Sequence, residues 1–162
     1  MKVRVLKLLS FSLSFIFVLN SSVFADNPVK LSCKSKNKMN QTISFTLVNT
    51  GAAEVQIENP LDGLTLFRWQ NNQWQQIPQL GYCRCQLTPC AAPPRYMPLQ
   101  PNETKLLEWN QKETWCIDQE KASSASKWAG KGKYKASIYV AEPDGGSTTE
   151  ISTEFSIRGR FF

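Results

Sequence analysis

The chain has no histidine among its 162 residues. That absence removes the commonest general base and the commonest metal ligand together, which excludes catalytic arrangements of the Ser-His-Asp and Cys-His types. No segment has a catalytic signature of another kind, and the acids and lysines sit singly in polar stretches, the usual pattern of a solvated surface. A non-enzymatic protein without a cofactor is expected. Long apolar runs are also scarce. After the first 25 residues no stretch approaches the roughly 20 apolar residues of a membrane-spanning helix. A cluster of like charge is missing too. The formal net charge is +6 over the whole chain and falls to +3 once Lys2, Arg4 and Lys7 are set aside, and the remainder is spread along the sequence. A nucleic-acid partner is therefore not indicated.

What is present begins with residues 1–25, in which a basic stretch leads through the apolar run Leu8 to Leu19 to the small-residue exit Val23-Phe24-Ala25. This is the pattern of a cleaved secretory signal. It predicts a periplasmic or secreted protein whose residues 26–162 form a single domain, long enough to bury a real core.

From Asp26 onward the apolar residues recur with period two, as in strands with one buried face. In "ISFTLV", Ile43, Phe45 and Leu47 alternate with Ser44 and Thr46. "AEVQIEN" repeats the pattern with Val55 and Ile57, and "KYKASIYV" with Tyr134, Ala136, Ile138 and Val140. "EISTEFSIR" places Ile151, Thr153, Phe155 and Ile157 on one side. Two aromatic-rich runs, centred on Phe67/Trp69 and Trp74/Ile77, flank Asn71-Asn72, a pair that tolerates the positive φ angles of a hairpin turn. Trp69 is expected in the core and Trp74 at an exposed or partner-facing position. With "VKLSCK" as a first strand, the count is seven or eight short strands with turn signals about every ten residues, which predicts an all-β antiparallel sandwich. Residues 118–130, "DQEKASSASKWAG", suit either a short helix or a surface loop.

"FTLVNTG", "LQPNETKLLEW" and "GKYKASIYV" together resemble the immunoglobulin-like β-sandwich domains of bacterial exported proteins. The nearest type is the domain similar to the bacterial intracellular proteinase inhibitors. The resemblance implies an opening Phe-x-Leu-x-Asn strand, a Leu-x-Pro lead into a later strand and a Gly-x-Tyr-x-Ala strand near the end. Asn102 stands where that type usually has glycine, and the Cys/Pro-rich loop of residues 81–98 has no counterpart in it.

That loop contains "CRCQLTPCAAPP" and holds three of the five cysteines, Cys33, Cys83, Cys85, Cys90 and Cys116. In an exported chain disulfides are the expected state, with one thiol left over from the odd number. The loop is expected to be tied within itself or to Cys116. Trp74, Tyr82, Leu87, Pro89, Pro93, Pro94 and Tyr96 are then candidate contacts for a partner, taken to be another protein of the cell envelope, for instance in a secretion assembly. Two other readings stand beside this one. A constrained segment 83–90 would suit a protease inhibitor that offers a substrate mimic. Alternatively, Cys83, Cys85, Cys90 and Cys116 as thiolates, with Met97 as a soft ligand, would suit zinc or copper.

Overall fold

The computed structural model describes residues 27–59, 64–80, 85, 95–141 and 148–159. The proposed signal, residues 1–25, lies outside them. Among the described residues there are twelve strands and no helix, and hence no helix that could cross a membrane. A three-stranded sheet has the order β1 (Val29–Cys33), β3 (Ile43–Asn49) and β8 (Thr104–Trp109). A larger sheet runs β2 (Lys36–Lys38), β12 (Thr148–Arg158), β11 (Gly132–Ala141), β4 (Val55–Glu58) and β7 (Tyr96–Leu99). The free edge of β11 is shared: its end, Val140–Ala141, takes β4, and its start, Tyr134–Ser137, takes β5 (Thr65–Gln70), which in turn pairs with β6 (Gln73–Gln76). Every pairing is antiparallel except the short β2–β12 contact.

The two sheets face each other across one core, so the molecule is an all-β antiparallel sandwich. Ile43, Phe45 and Leu47 come from one sheet and Ile57, Leu66, Ile138 and Phe155 from the other. All but Leu66 sit at the period-two positions that the alternation predicts. At one end of the core Phe45, Phe155, Tyr134 and Trp109 form an aromatic cluster, with ring centroids 5.4–6.3 Å apart. The Trp109 indole satisfies its N–H by donating to the Lys112 carbonyl at 3.1 Å. Tyr134, wholly buried, donates to the Gly130 carbonyl. Burial pushes its phenol up to about 12 from an ordinary value of 10.0.

A stability consequence follows for Tyr134. A folded-state value above the unfolded one stabilises the fold below pH 10, and this contribution is lost as pH rises from 10 toward 12. The loss is expected to be about 1–2 kcal/mol. Urea denaturation of the native chain and of Tyr134→Phe across that range checks it. The variant should lack this part of the alkaline decline.

Three sequence expectations are corrected. Among the described residues the strands number twelve rather than seven or eight, because short pieces such as β2 and β7 hold too few residues to show a period. Residues 118–130 are neither helix nor loop. They hold β10 (Ser123–Trp128), which pairs with β9 (Lys112–Asp118) through a turn in which Ala122 has φ 49°. The Ser/Ala composition has only a weak preference of its own, and cross-strand pairing decides.

The third correction concerns Trp69, which is 40% exposed. In "LTLFRWQ" Leu64 and Leu66 are in phase with Arg68, whereas Phe67 is in phase with Trp69. The leucines point inward and take Arg68 with them. The guanidinium is accommodated because it lies 5.8 Å from the Tyr134 ring centroid and 3.7 Å from the Glu113 carboxylate, and donates to the Lys131 carbonyl. Asn71 and Asn72, at φ 50° and 60°, form the expected turn between β5 and β6.

Candidate functional site

After β6 the chain is laid along the edge of β9. Thr114 N–H donates to the Pro78 carbonyl at 2.9 Å, and Leu80 N–H to the Thr114 hydroxyl at 3.0 Å. A covalent link follows, since Cys85, buried, is in a disulfide with Cys116 of β9. The Cα atoms are 5.4 Å apart, well within the span of a disulfide. The entry to the Cys/Pro-rich loop is thus held against the β9–β10 hairpin.

That hairpin presents large apolar side chains to solvent. Trp115 is 38% exposed, Ile117 67% and Trp128 47%. Because Glu113, Trp115 and Ile117 alternate with Thr114 and Cys116, the first three share one face and the disulfide lies on the other. On the first face Glu113, nearly buried, lies 3.0 Å from Lys127 and 3.7 Å from Arg68, and so connects the hairpin to the sandwich beneath Arg68 and Tyr134. Removing either partner would leave a largely desolvated charge, which is why this network specifies where the hairpin docks. Lys127 lies 5.8 Å from the Trp115 ring and Lys112 5.1 Å from the Trp128 ring, within cation–π range.

On the disulfide side, Thr42, Gln79, Glu108, Lys112, Thr114 and Ser124 line a polar cleft of about 530 Å³. Its lining, which also includes Asn110, supplies hydroxyls, two amides and single charges of each sign.

The remaining sequence candidates are dispersed. Trp74 is half-buried and packs edge to face on Trp69 at 5.2 Å. Tyr96 opens β7 opposite Glu58, with the Arg95 guanidinium 5.3 Å from its ring. Met97 pairs with Ile57 and packs on the core. Tyr82, Leu87, Pro89, Pro93, Pro94, Cys83 and Cys90 lie outside the described residues. Cys33, half-buried at the end of β1, is not disulfide-bonded, and burial pushes its thiol up by more than its bond to Thr153 draws it down. Such a thiol is a poor nucleophile. With Cys85 and Cys116 oxidised, two of the four sulfurs of the zinc or copper reading are not thiolates. Among the described residues no three of Cys, Asp and Glu cluster as a metal site would require.

Trp115, Ile117 and Trp128 were not singled out by the sequence. "KETWCID" and "SSASKW" lack a clean apolar alternation, because a two-stranded hairpin standing off the sandwich has no single buried face to impose one. Trp115 and Cys116 side by side were the only available signal. No family model matches this chain, and no curated protein matches it. The fold and the hairpin surface define its class: an all-β sandwich with a disulfide-anchored loop and exposed indoles.

Proposed function

We propose that this chain is a non-enzymatic exported module that makes protein–protein contacts in the cell envelope through the β9–β10 hairpin and the loop pinned to it. The observation that supports this most is the side-by-side exposure of Trp115 and Ile117 on a hairpin fixed at one end of the same face by Arg68–Glu113–Lys127 and on the opposite face by the Cys85–Cys116 bond. Exposed aromatic and aliphatic side chains held rigid at low entropy cost are what an interface hot spot needs, with Lys127 beside them as a polar rim. The Cys85–Cys116 bond suits an oxidising compartment, in keeping with the apparent signal at residues 1–25. The resemblance of "FTLVNTG", "LQPNETKLLEW" and "GKYKASIYV" to immunoglobulin-like exported domains supports the same reading.

Site-specific photo-crosslinking tests this. A photo-activatable phenylalanine analogue at position 117, in cells that export the protein by its own signal, should give a discrete adduct with one envelope protein. The same analogue at exposed position 30 should not. No adduct from 117, or the same adducts from both positions, would refute the reading.

The protease-inhibitor reading keeps one support, the anchoring of Cys85 at one end of segment 83–90. Inhibition of a protease panel that is abolished by cleaving the segment would select it instead.

A further inference from the structure

The β5–β6 hairpin presents a second aromatic surface of different chemistry. Trp69 and Trp74 are directly opposed across the hairpin, with ring planes at 68°, and Phe67 is opposed by Gln76 one step further from the turn. All four are on the outer face of the sheet, away from the core residue Leu66. The Lys135 ammonium lies 4.6 Å from the Phe67 ring and 6.0 Å from the Trp74 ring, while its charge is met by Glu150 at 2.9 Å. This contact holds the Glu150 carboxyl below its usual range. The rings are therefore wedged in place before any ligand arrives.

The surroundings of the rings are amides. From Trp69 to Leu80 the chain has no charged residue, and Gln70, Asn71, Asn72, Gln73 and Gln76 are all exposed. None of these five side-chain amides has a hydrogen-bond partner among the described residues. On the neighbouring strands Lys133 and Lys135 stand with Glu150 and Glu154, and Arg158 lies on the same face at the end of β12.

We infer that this hairpin is a binding platform for a neutral carbohydrate. A pyranose ring has an apolar C–H face and an equatorial rim of hydroxyls. The first suits an indole face, whose quadrupole attracts polarised C–H groups. The second suits side-chain amides, which donate and accept at once. An anionic polymer would call for free cations at the rings, whereas Lys135, the cation in contact with them, is already paired with Glu150. The rim of uncommitted side-chain amides, with no aliphatic residue in 69–76, favours a hydroxyl-bearing ligand over the apolar face of a second protein. The platform and the β9–β10 surface are separate, so each reading stands or falls by its own test.

The test is affinity electrophoresis of the full chain through gels containing hydroxyethylcellulose, laminarin, dextran or galactomannan. Retardation by at least one is expected, with little change as salt is raised, since no charge is exchanged. Trp69→Ala should weaken the interaction about tenfold, the loss expected from one stacked ring. Trp69→Phe and Gln76→Ala, which keep the stacking face, should retain measurable binding, and unchanged thermal midpoints show that each variant folds. The inference is overturned if none of the four polymers retards the protein, if Trp69→Ala is retarded as strongly as the native chain, or if salt abolishes retardation. It is also overturned if sedimentation shows a dimer that dissociates in Trp69→Ala, which would make a second copy the occupant.

Discussion

Replacing Cys85 and Cys116 together by serine is expected to lower the unfolding free energy by about 3–4 kcal/mol. The bond closes a loop with a sequence separation of 31, and its removal returns that loop's conformational freedom to the unfolded chain. Urea denaturation of the oxidised native protein and of the double variant measures the difference. A reducing agent should bring the native protein to the level of the variant. A loss below about 1 kcal/mol would mean that the bonds of Thr114 to Pro78 and Leu80 already hold the segment, with little left for the covalent link to add. The consequence reaches the proposed contact surface. With the link cut, the loop entry is free to leave β9, and crosslinking from position 117 should fall in proportion to any partner contact made by the loop.

Asn49→Ala is expected to cost about 3 kcal/mol without touching any exposed surface. Asn49 is wholly buried at the end of β3, and its side chain joins three segments. Its amide group donates to the Leu99 carbonyl at 3.0 Å and the Ala53 carbonyl at 2.8 Å, and its oxygen accepts from Gly51 N–H at 2.9 Å. Its backbone is bonded to Asn102 and Glu103, so the turn before β8, with Asn102 at φ 60°, is fastened to the same residue. Truncation removes all three side-chain bonds at once, the one to Leu99 being wholly buried. Asn49→Asp distinguishes hydrogen bonding from mere volume. It preserves the size and the acceptor for Gly51 but replaces both donors by a carboxylate facing carbonyl oxygens, and should be at least as destabilising as alanine. A near-neutral Asn49→Asp in thermal or urea unfolding would show that filling the space is what matters.

Asn49 is the asparagine of "FTLVNTG", so the residue that fastens three segments stood in plain sight, although its bonds did not. Much of the sandwich was legible in the same way. The inward positions of β3, β11 and β12 follow from period-two alternation, because a strand buried on one face has only one way to place alternate side chains. Asn71-Asn72 marked its turn because asparagine accepts the left-handed region. The β9–β10 hairpin was not legible, since Ser/Ala-rich β10 takes its conformation from pairing with β9.

The sequence by itself determined an all-β sandwich, its principal inward faces and the absence of histidine-based chemistry, since these depend on composition and on neighbours two residues apart. Tertiary structure decided which sulfur meets Cys85, and which of two apolar phases of β5 points inward. The second choice turned on Arg68, whose inward position is tolerable only once folding brings Glu113 and Tyr134 to it. That choice placed Trp69 in solvent. Burying a charge depends on partners distant in the chain, and alternation along a strand says nothing about them.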